Sequence, residues 1–153
     1  MNPSFDVIHR LNGKTLATAE SLTGGGIGAT LTAVPGSSCV YKGGIVSYTN
    51  EIKANILGVQ QDSLEKYGAV SAQVAGEMAT GVRKLMNADI AVSVTGLAGP
   101  GADEFGHPVG TVFIGYEDSS RTVVQHCLFD GNREAVRNQT VEAALKLILQ
   151  FNP

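Results

Sequence analysis

Residues 14–34, KTLATAESLTGGGIGATLTAV, contain the pattern on which the fold prediction rests. From Lys14 to Ala19 the residues alternate as in a β-strand, and a helical pattern runs from Gly25 to Val34. The glycine-rich turn Glu20-Ser21-Leu22-Thr23-Gly24-Gly25 lies between them. A strand, a short turn and a helix in this order are typical of an α/β protein.

The same alternation of strands and helices continues along the rest of the chain. The patterns predict further strands over 40–48, 89–94, 110–116 and 122–129, and helices over 4–12, 50–57, 61–66, 71–87 and 132–150. The last two strands are joined by a polar turn, so they form a hairpin and make the sheet mixed. The sequence therefore predicts a single three-layer α/β/α domain over residues 1–153. Both glycine-rich loops leave from strand ends, where they could face one crevice.

The composition argues against several classes of protein. The 153 residues carry a net charge of −3 and no basic run, whereas nucleic-acid binders need a surplus of lysine and arginine. No stretch approaches the roughly 18 apolar residues of a membrane span, so we expect no membrane partner. Cys39 and Cys127 are too few for a disulfide scaffold and are expected to be small core residues. With no secretory pattern at the N-terminus, we expect a cytoplasmic protein.

Ser21 lies between a predicted strand and a predicted helix, and two roles fit that position. Backbone N–H groups at a helix start attract negative charge, so the serine could be a nucleophile beside an oxyanion hole. A serine there is more commonly a helix cap. The turn has neither a Gly-x-Ser-x-Gly nor a Gly-Lys-Ser/Thr pattern, so the turn alone leaves both roles open.

Tyr48 and Lys53 follow at the end of the next strand and one turn into the next helix. A lysine in an apolar pocket has a lowered pKa and can deprotonate a serine. A nearby tyrosine can relay or donate a proton. A solvated charge is the commoner state of a single helical lysine, so the spacing alone also fits a surface residue.

Two further features could bind an anion. The loop 95–101, Thr-Gly-Leu-Ala-Gly-Pro-Gly, offers several backbone N–H groups. Arg133 and Arg137 lie four residues apart near the start of the last helix, so they share a face and could pair with a phosphate. An ordinary surface loop and weak surface ion pairs fit the same residues. The histidines are scattered and no metal-binding spacing occurs, so we predict no metal site: His9, His107, His126.

In this order, the segments resemble the C-terminal domain of the CinA competence/damage-inducible family. Its stand-alone members are nicotinamide-nucleotide amidohydrolases. The resemblance covers about residues 16–149. The blocks that carry it are Thr18 to Gly25, Val34 to Ser38, Gly43 to Lys53, Leu57 to Val59, Gly68 to Ser71, Ala88 to Ala91, Val94 to Gly101 and Pro108 to Val112.

The resemblance implies hydrolysis of the carboxamide of nicotinamide mononucleotide, giving nicotinate mononucleotide and ammonia, without a metal or cofactor. It implies catalytic roles for Ser21, Tyr48 and Lys53. The substrate contacts that it implies also include an arginine at the start of the last helix, for which we choose Arg137 over Arg133. The other implied contacts are Thr23, Gly24, Thr95 and Gly96.

The chain departs from the family pattern in two ways. Leu22 stands where the family usually has cysteine, which we interpret as a packing difference. The nucleotide-pyrophosphatase-like N-terminal domain of full-length members has no counterpart in the sequence, so its activity is not expected here.

Some family members are thought to lack deamidase activity. A nucleotide-binding or partner-binding module without turnover therefore stays open, as does an amidase for another small amide. The partners that we expect are a small-molecule nucleotide substrate and further copies of the chain in a homo-oligomer.

Overall fold

The strand predicted before the Ser21 turn is β1, Leu16–Glu20, and it lies inside a five-stranded sheet. The computed structural model describes residues 3–153. The remaining strands are β2 (Tyr41–Val46), β3 (Ile90–Gly96), β4 (Thr111–Glu117) and β5 (Thr122–Leu128). In the strand order β2-β1-β3-β4-β5, β1 is parallel to β2 and β3, β4 is antiparallel to β3, and β5 is antiparallel to β4. The mixed sheet and the terminal hairpin are confirmed.

Helices cover both faces of the sheet, because β1 and β3 bury side chains on each side. The helices are α1 (Ser4–Arg10), α2 (Gly26–Thr32), α3 (Asn50–Asn55), α4 (Gln61–Tyr67), α5 (Ala72–Met86) and α6 (Arg133–Phe151). Helices α1, α2 and α6 pack in one hydrophobic cluster around Leu16 and Val92. Helix α5, with the α4 residue Leu64, packs on the other face against Ala17 and Ala19. The single three-layer α/β/α domain predicted from the sequence is thus confirmed.

The register of the parallel strands brings three chain segments to one edge of the sheet. Glu20 at the end of β1 pairs with Val46 of β2 on one side and with Val94 of β3 on the other. Ser21 N then donates to the Val94 carbonyl at 3.1 Å, and Ser47 N donates to the Glu20 carbonyl at 2.8 Å. The Ser21 turn, the end of β2 and the second glycine-rich loop therefore meet at the carboxyl ends of the strands, where open α/β sheets bind ligands.

Helix α3 is capped by Thr49, whose hydroxyl accepts from Ile52 N at 3.4 Å. The expectation that both cysteines are core residues is wrong for Cys39, which is exposed, while Cys127 is partly buried and packs against the edge of the core. Among residues 3–153, no helix combines the length and apolar character that crossing a membrane requires.

Candidate active site

A lysine amine and a serine hydroxyl lie in direct contact at the carboxyl edge of the sheet. Lys53 Nζ donates to Ser21 Oγ at 3.0 Å and to the Ser47 carbonyl at 2.8 Å. The Lys53 side chain is only 1% exposed and Ser21 is 8% exposed. The interpretation of Lys53 as a solvated helix charge is therefore wrong, and the predicted serine–lysine pair is present.

Burial changes the acid–base character of Lys53. Removing the ammonium from water disfavours its charged form, and this desolvation lowers the pKa of Lys53 from 10.5 to about 8. A neutral amine has one lone pair and two N–H groups. One N–H can donate to the Ser47 carbonyl while the lone pair faces the Ser21 hydroxyl. The neutral Lys53 amine can therefore accept the proton of the Ser21 hydroxyl.

The start of α2 is held by a buried carboxylate, Glu20, which is 2% exposed. Its Oε1 accepts from the Thr23 hydroxyl at 2.6 Å and from Ile27 N at 2.8 Å. Its Oε2 accepts from Gly28 N at 3.0 Å. Ser21 is thus not the helix cap, because Glu20 takes the N–H groups that a cap would satisfy.

This cap also changes where an oxyanion could be bound. Gly24 N donates to the Ser21 carbonyl and Gly26 N donates to the Thr23 carbonyl, both inside the turn. Among the hydrogen bonds within residues 3–153, none is donated by Leu22 N or Thr23 N. Leu22 lines the cavity beside Ser21 although its side chain belongs to the core. Leu22 N, directly after Ser21 in the chain, is therefore a donor that is available to bind an oxyanion.

A cavity of about 420 Å³ opens in front of the Ser21–Lys53 pair. The second glycine-rich loop forms one wall, so the expectation that both loops face one crevice is confirmed. The residues that line it are Ser21, Leu22, Tyr48, Asn50, Lys53, Ala69, Val70, Thr95, Gly96, Leu97, Ala98, Gly99, Pro100, Gly101 and Arg133. That volume lies within the usual range for small-molecule sites.

The two candidate arginines do different things. Arg133 lines the cavity, where its guanidinium donates to the Gly99 carbonyl at 2.7 Å and to the Tyr48 hydroxyl at 3.1 Å. Arg137 is not among the lining residues and donates to the carbonyls of Leu22 and Thr23 at 2.9 and 3.2 Å. The geometry thus favours Arg133 for contact with a ligand, contrary to the choice made from sequence, and gives Arg137 a role in holding the Ser21 turn.

Tyr48 lines the cavity with a side chain that is 59% exposed. Its hydroxyl contacts Arg133, and within residues 3–153 it makes no hydrogen bond to Ser21 or Lys53. The lysine reaches the serine without it. A relay through Tyr48 is therefore not needed for the proton transfer.

The remaining predicted contacts divide between the cavity and its support. Thr95 and Gly96 line the cavity, and the Thr95 hydroxyl donates to the Ala69 carbonyl at 2.8 Å. Thr23 and Gly24 lie outside the lining. The Thr23 hydroxyl is used by Glu20, and Gly24 supplies a left-handed backbone conformation with φ of 58°.

No group of three or more histidine, cysteine, aspartate or glutamate side chains that could hold a metal is found in residues 3–153. His107 contacts Asp103, with 2.6 Å between Nδ1 and Oδ2. His126 stacks on Phe113 with ring centroids 4.6 Å apart. The histidines thus have local partners away from the Ser21–Lys53 pair.

Sequence reasoning missed Glu20 and Ser47. Glu20 was treated as part of the turn, yet it is the buried acceptor around which the turn is built. Ser47 acts through its main-chain carbonyl, for which side-chain identity carries no signal. An acidic residue at the end of an otherwise uncharged buried strand was the available sign for Glu20.

Comparison with known protein families and solved structures agrees with this architecture. The model of the CinA C-terminal domain matches residues 5–152. A competence-damage inducible protein from Acetivibrio thermocellus is 51% identical over 142 residues, which are 92% of this chain and 34% of that protein. A CinA-like protein from Thermotoga neapolitana is 46% identical over 144 residues, 92% of this chain and 35% of that protein. The chain spans about a third of the length of these relatives.

Two solved structures share the complete fold. A CinA superfamily protein from Escherichia coli superposes with a TM-score of 0.95 at 37% identity, covering 97% of this chain and 87% of that one. The competence/damage inducible protein CihA from Agrobacterium tumefaciens gives a TM-score of 0.92 at 35% identity, covering 100% and 98%. The chain therefore belongs to the CinA C-terminal domain family.

Proposed function

We propose that this chain is an amidohydrolase that converts nicotinamide mononucleotide to nicotinate mononucleotide and ammonia. The contact of 3.0 Å between the buried Lys53 amine and the Ser21 hydroxyl carries the proposal, because it joins a base to a nucleophile inside a cavity. The substrate itself is taken from the resemblance to the stand-alone members of the family. The reaction is proposed without a metal or cofactor, as that resemblance implies.

The first step is acylation of Ser21. Neutral Lys53 accepts the hydroxyl proton while Ser21 Oγ attacks the carboxamide carbon, and the carbonyl electron pair moves onto oxygen. Leu22 N, which lies directly after the nucleophile and donates no hydrogen bond within residues 3–153, stabilises the resulting oxyanion. Preorganised donors of this kind contribute about 10²- to 10³-fold each in known enzymes.

Collapse of the tetrahedral intermediate breaks the C–N bond. The Lys53 ammonium returns its proton to the departing nitrogen, which leaves as ammonia, and the acyl group stays on Ser21. Lys53, neutral again, then removes a proton from water, which attacks the ester carbon. The ester C–O bond then breaks and the Lys53 ammonium returns its proton to Ser21 Oγ. This releases nicotinate mononucleotide and restores both the Ser21 hydroxyl and the neutral Lys53 amine.

The substrate is oriented by the opposite wall of the cavity. Arg133 lines the cavity and can pair with the phosphate in a charge-assisted contact. Tyr48, held by Arg133, lies on the same wall. Backbone groups of 97–101 complete this side of the cavity. Holding the phosphate here fixes the distance between the amide and Ser21.

The proposal places the reaction in the cytoplasm and the chain in a homo-oligomer. Both parts are expectations from the sequence, and each has a simple readout. Cell fractionation of a tagged chain tests the compartment. Sedimentation analysis of the purified chain tests whether copies associate.

A panel of amides tests the function and separates it from its two alternatives. Ammonia release is measured with nicotinamide mononucleotide, nicotinamide riboside, nicotinamide and unrelated small amides. We expect turnover of the mononucleotide, with a large drop in kcat/KM when the phosphate is missing. Turnover of another amide alone would identify a different amidase. Binding of the mononucleotide without ammonia release would indicate a silent binding module.

A further inference from the structure

We propose that Glu20 is a positioning residue for the Ser21–Lys53 pair, and that its charge holds the geometry of the pair. This inference rests on the proposed function, since it assigns a further residue to the same reaction. Glu20 does not line the cavity, so it touches neither the substrate nor the reacting atoms. Glu20 acts on the reaction through Ser21 and Lys53, which line the cavity.

The Glu20 side chain closes the turn from Ser21 to the first residues of α2. Both oxygens are occupied by donors from this segment: the Thr23 hydroxyl and Ile27 N on Oε1, and Gly28 N on Oε2. The Thr18 hydroxyl adds a longer contact of 3.4 Å to Oε2. Within residues 3–153 this buried carboxylate contacts four donors and forms no ion pair, so hydrogen bonds offset the cost of its burial.

The Glu20 main chain is joined to the other member of the pair. Its carbonyl accepts from Ser47 N at 2.8 Å and from the Ser47 hydroxyl at 3.4 Å. The Ser47 carbonyl in turn accepts from Lys53 Nζ at 2.8 Å. Glu20 therefore fixes Ser21 through the peptide bond and Lys53 through Ser47. One residue sets the positions of the nucleophile and the base together.

Only a carboxylate fits the donor set around Glu20. Each of its oxygens faces a backbone N–H of α2, and a backbone N–H cannot turn into an acceptor. In a Glu20→Gln variant one oxygen becomes an NH₂ group, which places a donor against Ile27 N or Gly28 N. The start of α2 must then move, and the Ser21 turn moves with it. A misplacement of about 1 Å at a reacting group can cost about 10²-fold in rate.

The chain offers a matched control in Glu117, the other buried glutamate. It is 8% exposed and accepts from Thr122 at 2.8 Å and from Arg83 at 3.4 Å, with Thr80 also in contact. It lies at the end of β4 that pairs with Ala91, at the start of β3, so it is at the sheet edge opposite the cavity. Glu117→Gln therefore also disturbs a buried carboxylate, at a place remote from the pair.

The experiment measures kcat and KM for ammonia release, the melting temperature, and the rate at which a sulfonyl fluoride labels Ser21. For Glu20→Gln we expect kcat to fall about 10- to 100-fold with KM changed by less than about threefold. The labelling rate should fall in parallel. For Glu117→Gln we expect the wild-type kcat and labelling rate, even if its melting temperature falls as much as that of Glu20→Gln.

A wild-type labelling rate in Glu20→Gln would overturn the proposal, as would equal losses of labelling in both variants. If Glu20→Gln fails to fold, Thr23→Val removes one donor to the carboxylate and should slow labelling about three- to tenfold; unchanged labelling in that variant overturns the proposal. Labelling needs no amide turnover. Wild-type protein that is labelled but releases no ammonia would therefore refute the proposed function and leave the positioning test intact.

Discussion

The two glycine-rich segments at the cavity differ in how firmly they are held. The segment 20–28 is buried at Glu20, Ser21 and Thr23, and most of its polar groups bond to one another or to Arg137. The segment 97–106 is largely exposed from Pro100 onward and is held by few contacts, including one from Arg133 to the Gly99 carbonyl. The difference suggests that rate depends on the first segment and substrate affinity on the second.

Asp103 and His107 show how the second segment is organised. Asp103 Oδ1 accepts from the backbone N–H groups of Phe105 and His107 at 3.2 and 3.0 Å, and its other oxygen contacts the His107 ring. These bonds fix a local turn and do not join it to the Ser21–Lys53 pair. Substitutions in this loop should thus change binding more than chemistry.

The largest effect is expected from Lys53→Met, which keeps the length of the side chain and removes the base. General-base removal costs about 10²- to 10⁴-fold, so kcat should fall by that factor. The free energy of unfolding at pH 7 should be equal or higher, because burying the ammonium opposes folding below its pKa. Ammonia release and chemical denaturation measure the two quantities. Activity within tenfold of wild type would break the assignment of the base.

A pH profile should show the titration of the same group. The neutral amine is the active form, so kcat/KM should rise about tenfold per pH unit below the Lys53 pKa of about 8 and level off above it. The contribution of Lys53 to the free energy of unfolding also rises with pH. Unfolded lysine keeps its proton to higher pH, so unfolding becomes costlier as pH rises above about 8. A flat rate profile between pH 6 and 9 would argue against Lys53.

Substitutions of Arg133 and Arg137 test the two segments separately, because Arg133 contacts the segment 97–106 and Arg137 contacts the segment 20–28. Arg133→Ala removes a charge-assisted contact worth about 1.5–3 kcal/mol, so KM should rise about 10- to 100-fold with a small change in kcat. Arg137→Ala frees the carbonyls of Leu22 and Thr23, so it should lower kcat and the melting temperature instead. Steady-state kinetics and thermal unfolding of both variants check this. A raised KM in Arg137→Ala together with a lowered kcat in Arg133→Ala would instead identify Arg137 as the phosphate contact.

The smallest effects are expected from alanine at one glycine of each segment. Gly24 has φ of 58°, so Gly24→Ala should cost about 1–2 kcal/mol of stability and slow turnover. Gly101 has open space where a Cβ would lie, so Gly101→Ala should leave the melting temperature within about 1 °C. Differential scanning calorimetry measures both. Equal losses would contradict the difference between the segments.

The fold was predictable because periodicity reports burial. In α5 the apolar residues recur at helical spacing, and the residues buried against the sheet, among them Val74, Met78 and Val82, lie on one face. The choice between Arg133 and Arg137 was not predictable in the same way. They share a helix face and lie about 6 Å apart along α6, so only the packing of α6 against the Ser21 turn decides which one meets the cavity.

The residues of the site likewise divide into those that the sequence predicts and those that it does not. The pair of Ser21 and Lys53 was predicted from residue types and a family resemblance, and the parallel register of β1 and β2 brings the segments that carry them together. The acidic residue at the end of β1 is a sign that Glu20 has a special role, but a strand buried on both faces does not indicate which donors its last side chain meets. Its partners are backbone N–H groups, which every sequence has.

The most direct test of the central claim is ammonia release by Ser21→Ala, with circular dichroism to verify the fold. The hydroxyl is the proposed nucleophile and its removal leaves the Glu20 cap and the cavity wall in place. We predict that the variant binds nicotinamide mononucleotide with an affinity close to wild type and releases ammonia at least about 10³-fold more slowly. Turnover at the wild-type rate would contradict the account.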